Sequence, residues 1–218
     1  MRRYPLLAIL LAGIVSLQSE TPQTAWAETP EGFVPLFNGK DLTGWVGDTG
    51  GYKAEDALLV CNEGGHLFTE KEYSNFIVRF EFKLPPGGNN GLGIRAPLEG
   101  EAAFTAMEIQ ILDDSAEKYK EIHDYQYHGS IYGVVPAKRG ALKPVGEWNS
   151  QEVAADGKHV KVTLNGTVIV DADLEEAAAR GPLDGRDHSG LLREKGHIGF
   201  MGHGDRVEFK NIFIREMD

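Results

Sequence analysis

Arg95, Glu108, Gln110 and His203 are the residues of this sequence whose types and placing could do chemistry. Met107-Glu108-Ile109-Gln110-Ile111-Leu112-Asp113 alternates apolar with polar, so a strand there turns Ile109 and Ile111 to a core and Glu108 and Gln110 to the other face. In Gly91-Leu92-Gly93-Ile94-Arg95 the same parity sends Leu92 and Ile94 inward and Arg95 outward. If the two strands pair, a carboxylate, an amide and a guanidinium share one outer face. A carboxylate can accept a proton, a guanidinium can stabilise negative charge, and an amide can orient a hydroxylated substrate. His203 adds an imidazole suited to moving protons near neutral pH, and Gly202 and Gly204 leave it unshielded. Outward polar residues are equally what a solvated strand shows, and an exposed histidine can be structural.

Asp113-Asp114 follows the Glu108 strand directly, and residues 121–128 gather acids, imidazoles and phenols. Such a mixture can hydrogen-bond a sugar or hold a divalent metal, although His123 and His128, five apart, match no zinc spacing. Tyr125, Tyr127, Tyr132 and Trp148 could be stacking floors for an amphipathic ring or anchors of their loops. The single cysteine, Cys61, ends the run Leu58-Leu59-Val60-Cys61 like a small buried hydrophobe and can form no internal disulfide. The sequence has no phosphate-cradling glycine loop, nucleophile elbow or paired metal motif. No cofactor is called for, and a divalent metal stays open.

The elements that must position these residues are strands. Glycine is abundant, at 27 of 218 residues, and the apolar segments are short and separated by turn-like clusters. In Phe76-Ile77-Val78-Arg79-Phe80-Glu81-Phe82-Lys83, Phe76, Val78, Phe80 and Phe82 point one way, and Pro85-Pro86-Gly87-Gly88-Asn89-Asn90 ends the run. Residues 159–171 read as a hairpin around Asn165-Gly166, the pair that a tight type I′ turn requires. Ile198-Gly199-Phe200 and residues 207–214 make the last two strands, a final hairpin joined through His203. Residues 175–180 form a short surface helix closed by Gly181 and Pro182. The expected body is all-β, an antiparallel β-sandwich or jelly roll with one short surface helix. Its inner faces are filled, so a groove must use the outer face of one sheet and its loops.

Arg2 and Arg3 precede an apolar run at residues 6–15, too short to span a bilayer as an anchor, and Ala25-Trp26-Ala27 offers a cleavage site before Glu28. The expectation is a signal peptide at 1–27, a single domain at 28–218, and an exported product, periplasmic or secreted, without stable membrane insertion after cleavage. The chain carries 22 basic and 33 acidic residues, a net charge of −11. Such a surface repels nucleic acid and anionic lipid and leaves a neutral or cationic small ligand as the easier partner.

Several segments in order resemble the 3-keto-disaccharide hydrolase family. They include Gly39-Lys40-Asp41-Leu42-Thr43-Gly44-Trp45, Asn90-Gly91-Leu92-Gly93-Ile94-Arg95 and Met107-Glu108-Ile109-Gln110-Ile111-Leu112-Asp113. Gly129-Ser130-Ile131-Tyr132, Gly146-Glu147-Trp148-Asn149, and Gly196-His197-Ile198-Gly199-Phe200 with His203-Gly204-Asp205 continue the series. The resemblance implies a concanavalin-A-like jelly roll that cleaves glycosides whose glucose unit is oxidised at C3, by hydrolysis or by elimination and hydration. It implies a pocket with Glu108 or His203 as base, Arg95 as charge stabiliser, and Gln110, Asp113, Tyr132, Glu147 and Trp148 toward the sugar. A C3 ketone acidifies the C2 proton, which gives one base a route to cleavage. The alternative on the same fold is a non-catalytic carbohydrate-binding module.

Overall fold

Strands with one apolar and one polar face must bury the apolar face, and two such sheets do so against each other. The computed structural model describes residues 28–100 and 102–218. Its strands are β1 (Val34–Pro35), β2 (Trp45–Gly47), β3 (Tyr52–Glu55), β4 (Leu58–Cys61), β5 (Gly65–Tyr73) and β6 (Phe76–Lys83). There follow β7 (Asn89–Ala96), a one-turn helix α1 (Ala102–Thr105), β8 (Met107–Leu112), β9 (Asn149–Asp156), β10 (His159–Leu164) and β11 (Thr167–Asp173). Helix α2 (Leu174–Arg180), β12 (Gly196–Gly202) and β13 (Val207–Glu216) complete the order. The larger sheet runs β11-β10-β9-β6-β13-β4-β3 with β1 also paired to β13, and the smaller runs β2-β5-β12-β7-β8. The expected signal peptide, residues 1–27, lies outside the described residues. Among the described residues no helix is long and apolar enough to cross a membrane.

The alternation read from sequence sets the core. Phe76, Val78, Phe80 and Phe82 of β6 face Leu92 and Ile94 of β7, Ile109 and Ile111 of β8, and Ile198 and Phe200 of β12, all in one buried cluster. Phe200 stacks on Phe209 with ring centroids 3.9 Å apart and meets the edge of Phe80 at 5.5 Å. Helix α2 starts on Asp173, whose carboxylate accepts from the backbone N–H of Glu175 and Glu176, and stops at Gly181 at φ +85°.

Two expectations change. β12 and β13 belong to different sheets, so the link through His203 crosses the rim of the sandwich and no final hairpin forms. In the β10–β11 hairpin, Asn165 and Gly166 take the expected positive φ, but the register shifts after Val162, which pairs with Val170 while Thr163 pairs with Val168. The extra residue, Ile169, turns into the core and Val168 is left facing water.

His128 ties the two sheets together. The N–H of Leu112 on β8 donates to its Nδ1 at 3.2 Å, so the proton sits on Nε2, which donates to Gln151 Oε1 of β9 at 3.0 Å. The ring stacks on Phe82 at 5.1 Å. Burial depresses its pKa to about 4, with the Gln151 hydrogen bond opposing in part.

In the unfolded chain His128 takes up a proton near its ordinary pKa of about 6.5, while the folded protein resists until about 4. Its contribution to stability is therefore steady above that upper value and falls as the pH drops through the window, by up to about 3 kcal/mol. Urea midpoints between pH 7 and pH 4 should show this fall, and the slope in the window should be reduced in His128→Gln. Gly166→Val should cost about 1 kcal/mol, because the site is open but φ is +83°. Equal urea midpoints for that pair would contradict the turn.

Candidate active site

The register of β7 against β8 places Gly93 opposite Glu108 and Gly91 opposite Gln110. Glu108 and Gln110 stand on the outer face of the smaller sheet, with Ile109 and Ile111 in the core beneath. Gly91 makes the room: a Cβ there would lie 2.1 Å from Glu108 Oε1, so the carboxylate occupies the space a side chain would take. Glu108 is only 4% exposed, and its Oε1 is buried with no hydrogen-bond partner. An orphaned carboxylate oxygen costs stability unless a ligand or a charge answers it.

His203 answers it. Its Nε2 lies 3.8 Å from Glu108 Oε1, an ion-pair distance too long for a direct hydrogen bond. The Glu108 carboxylate raises the imidazole pKa above the ordinary value, with burial opposing and Asp205 adding to the rise. The link that carries His203 is pinned, because Asp205 Oδ2 accepts from the N–H of Asn89 at 3.1 Å. The turn before Asn89 is pinned in its own right, by Asp113 Oδ2 accepting from the N–H of Gly87 at 2.7 Å. The other edge of β8 is covered by residues 129–132: Gln110 N donates to Ser130 O and Tyr132 N to Glu108 O. Tyr132 then presents its hydroxyl, which accepts from Gln126 Nε2 at 3.0 Å.

These elements enclose an open cavity of about 290 Å³. Its polar lining is Glu108, Gln110, Asn89, Gln126, Tyr132, Tyr119, His203 and Arg186, and its apolar lining is Ala103, Phe104, Leu112 and Ile122. The Oδ1 of Asn89 is a second buried oxygen without a partner. The structure thus gathers Glu108, Gln110, Tyr132 and His203 of the sequence candidates and adds Asn89, Gln126, Phe104 and Arg186. No periodicity flagged those four: Asn89 opens β7, Phe104 lies in the one-turn α1, Gln126 in a 3-10 turn and Arg186 in a loop.

The other candidates lie elsewhere. His197 pairs with Ala96 and Gly199 with Gly93, so Ile94 and Arg95 together oppose Ile198, and Arg95 takes φ +49°. This bulge breaks the parity. Arg95 is 1% exposed, and its guanidinium donates to the carbonyls of Ser74 (2.8 Å) and Gly157 (2.7 Å) and to Asn75 Oδ1. It is a structural clamp away from the cavity. Asp113 is spent on Gly87 and on Ser115, whose N–H and hydroxyl both donate to its Oδ1, so it positions the turn rather than touching a sugar. Trp148 packs between Lys83 (5.0 Å) and Lys210 (4.2 Å) on the outer face of the larger sheet, with exposed Glu147 beside it. Residues 121–128 do not converge: His123 stacks on Tyr125 while His128 turns into the core. Among the described residues no group of three or more His, Cys, Asp or Glu could hold a metal ion.

Comparison with known proteins identifies relatives of the chain. A family model described as a 3-keto-alpha-glucoside-1,2-lyase-like domain matches residues 32–215. A 3-keto-disaccharide hydrolase of Bacteroides thetaiotaomicron is 25% identical, over 86% of this chain and 79% of its own length. A solved structure from Parabacteroides distasonis, a candidate glycosyl hydrolase, is 31% identical with a TM-score of 0.76, covering 85% of this chain and 99% of that one. A carbohydrate-binding module from Bacillus subtilis shares the fold alone, at 13% identity and a TM-score of 0.52 over 79% of this chain and 96% of that one.

The outer-face carboxylate makes a direct prediction. Gly91→Ala should displace the Glu108 side chain while leaving the core intact, because the added methyl meets only an outer-face group. In an NMR titration the pKa of His203 should drop back toward the ordinary histidine value in Gly91→Ala and in Glu108→Gln alike. An unchanged His203 titration in both variants would show that the pair is not coupled.

Proposed function

The chain belongs to the 3-keto-alpha-glucoside-1,2-lyase-like domain family, and on that premise we propose that it cleaves 3-keto-glycosides by elimination across C1 and C2 followed by hydration. The observation that carries this reading is the composition of the cavity. Among its described lining residues there is one carboxylate, Glu108, and the partner 3.8 Å away is an imidazole. A glycosidase working on an unactivated acetal places two carboxyl groups across the bond, about 5 to 9.5 Å apart. One carboxylate with one imidazole suits proton abstraction beside a ketone instead.

In this reading the sugar lies with C2 toward Glu108. The carboxylate takes the C2 proton, and the electron pair of that bond becomes the enolate of the C3 ketone. Collapse of the enolate expels the C1 substituent, whose oxygen takes a proton from the His203 imidazolium. The products are an alcohol and a 3-keto-2-hydroxyglucal. Addition of water to the glucal, with the two groups exchanging roles, gives 3-ketoglucose. The ion pair supports the needed starting state, a charged carboxylate beside a charged imidazolium, and the raised pKa of His203 keeps it protonated at a higher pH than an ordinary histidine. Gln110, Asn89, Gln126 and Tyr132 supply donors and acceptors for sugar hydroxyls, and Phe104 offers an apolar wall.

Glu108→Gln should lower kcat on a 3-keto-glucoside by about 100-fold or more while the folded protein still binds sugar. His203→Asn should also lower turnover and remove the alkaline limb of the pH profile. In the parent protein that limb should fall above the ordinary histidine pKa, because deprotonating the raised imidazole removes the acid. Steady-state rates from pH 5 to pH 9, read beside calorimetric binding, test both. Sugar binding by the parent protein with no release of the C1 substituent would mark a binding module.

A further inference from the structure

We propose that Arg186 supplies the positive charge that stabilises the C3 enolate, the task that the family resemblance assigned to Arg95. This inference rests on the reaction proposed above. Arg186 lines the same cavity as Glu108 and His203 and carries the only guanidinium or ammonium group among the described lining residues. Its guanidinium carbon stands 3.7 Å from the ring centroid of Phe104, which is itself part of the cavity wall. A guanidinium held by its face bonds through its edge, and edge N–H groups match an oxyanion.

The loop around Arg186 is built to hold that pose. Its backbone N–H donates to Asp184 Oδ1 at 3.0 Å, and Asp184 Oδ2 lies 3.0 Å from His188 Nε2, in a pair whose side chains are 4% and 8% exposed. The His188 ring meets the edge of Phe104 at 5.0 Å. The N–H of Leu183 donates to Gly133 O at 2.7 Å, and a Cβ on Gly133 would stand 2.5 Å from Asp184 Oδ2. Gly133 follows Tyr132, whose N–H donates to Glu108 O, so the loop is docked on the segment that covers the edge of β8. Arg186 and Glu108 are therefore held by one continuous set of contacts. When the C2 proton moves to Glu108, the electron pair it leaves is delocalised onto O3, and the cation lowers the energy of that charge without taking or giving a proton.

The test isolates enolisation from cleavage. 1,5-Anhydro-3-ketoglucitol has the ketone and the C2 proton but no leaving group at C1, so the enzyme can only exchange that proton with deuterated water, which NMR follows. Arg186→Met should slow exchange by about 100- to 1000-fold, and should lower kcat on a methyl 3-keto-glucoside to a similar degree with KM changed only a few-fold. Arg186→Lys should recover part of the rate, and Phe104→Leu, which removes the shelf, should lose about tenfold. Thermal melts of each variant establish that it is folded. Exchange by folded Arg186→Met at the parental rate, with Glu108→Gln inactive, would overturn the role of Arg186 and leave the reaction standing. A parent protein that neither exchanges nor cleaves would overturn the reaction itself.

Discussion

Everything at this site follows from one carboxylate kept almost out of water on the outer face of a sheet. Solvation would ordinarily hold Glu108 outward, and removing an ion from water costs several kcal/mol unless an opposite charge or hydrogen bonds make it up. Here the tight register of β7 against β8 sets the carboxylate over Gly91, and His203 stands near enough to return part of the cost. The rest of the molecule can sustain this because the core beneath, from Phe80 and Phe200 to Ile109, is closely packed and does not yield. A rigid sheet keeps an unfavourable group in place, and an unfavourable group is a reactive one.

How much of this the sequence discloses depends on how local the determining physics is. Alternation is local, so the outward parity of Glu108 and Gln110 and the inward parity of Ile109 and Ile111 could be read directly. The same rule misplaces Arg95, because the bulge there is a property of how β7 meets β12, and nothing in Gly91-Leu92-Gly93-Ile94-Arg95 announces the partner's register. The link carrying His203 was recognisable by its glycines, yet its crossing from one sheet to the other is a matter of topology. β9 and the long β5 escaped notice because Asn149–Asp156 and Gly65–Tyr73 mix small and charged residues with few large apolar ones. Arg186 and Phe104 lie in non-periodic segments and become neighbours of Glu108 only through tertiary contacts. Glu147 and Trp148 came with a resemblance in sequence order, and they sit just before β9, which belongs to the other sheet.

A carbohydrate-binding module at 13% identity keeps the two sheets, which shows how readily this architecture is shared without implying a shared activity. One acid, one imidazole and one guanidinium line the cavity of about 290 Å³ here, and the proposed reaction rests on those groups rather than on the shared sheets.

β13 follows every other described strand and lies in the interior of its sheet, bonded to β6 on one side and to β4 and β1 on the other. Until it is made, β11-β10-β9-β6 and β4-β3 are two half-sheets with a missing plank between them, each with an open edge. A ribosome releases residues in order, so the larger sheet cannot close until every strand before β13 is already outside the tunnel. Such long-range pairing makes folding slow, and it leaves a late interval in which the unpaired edge of β6 is open to other chains.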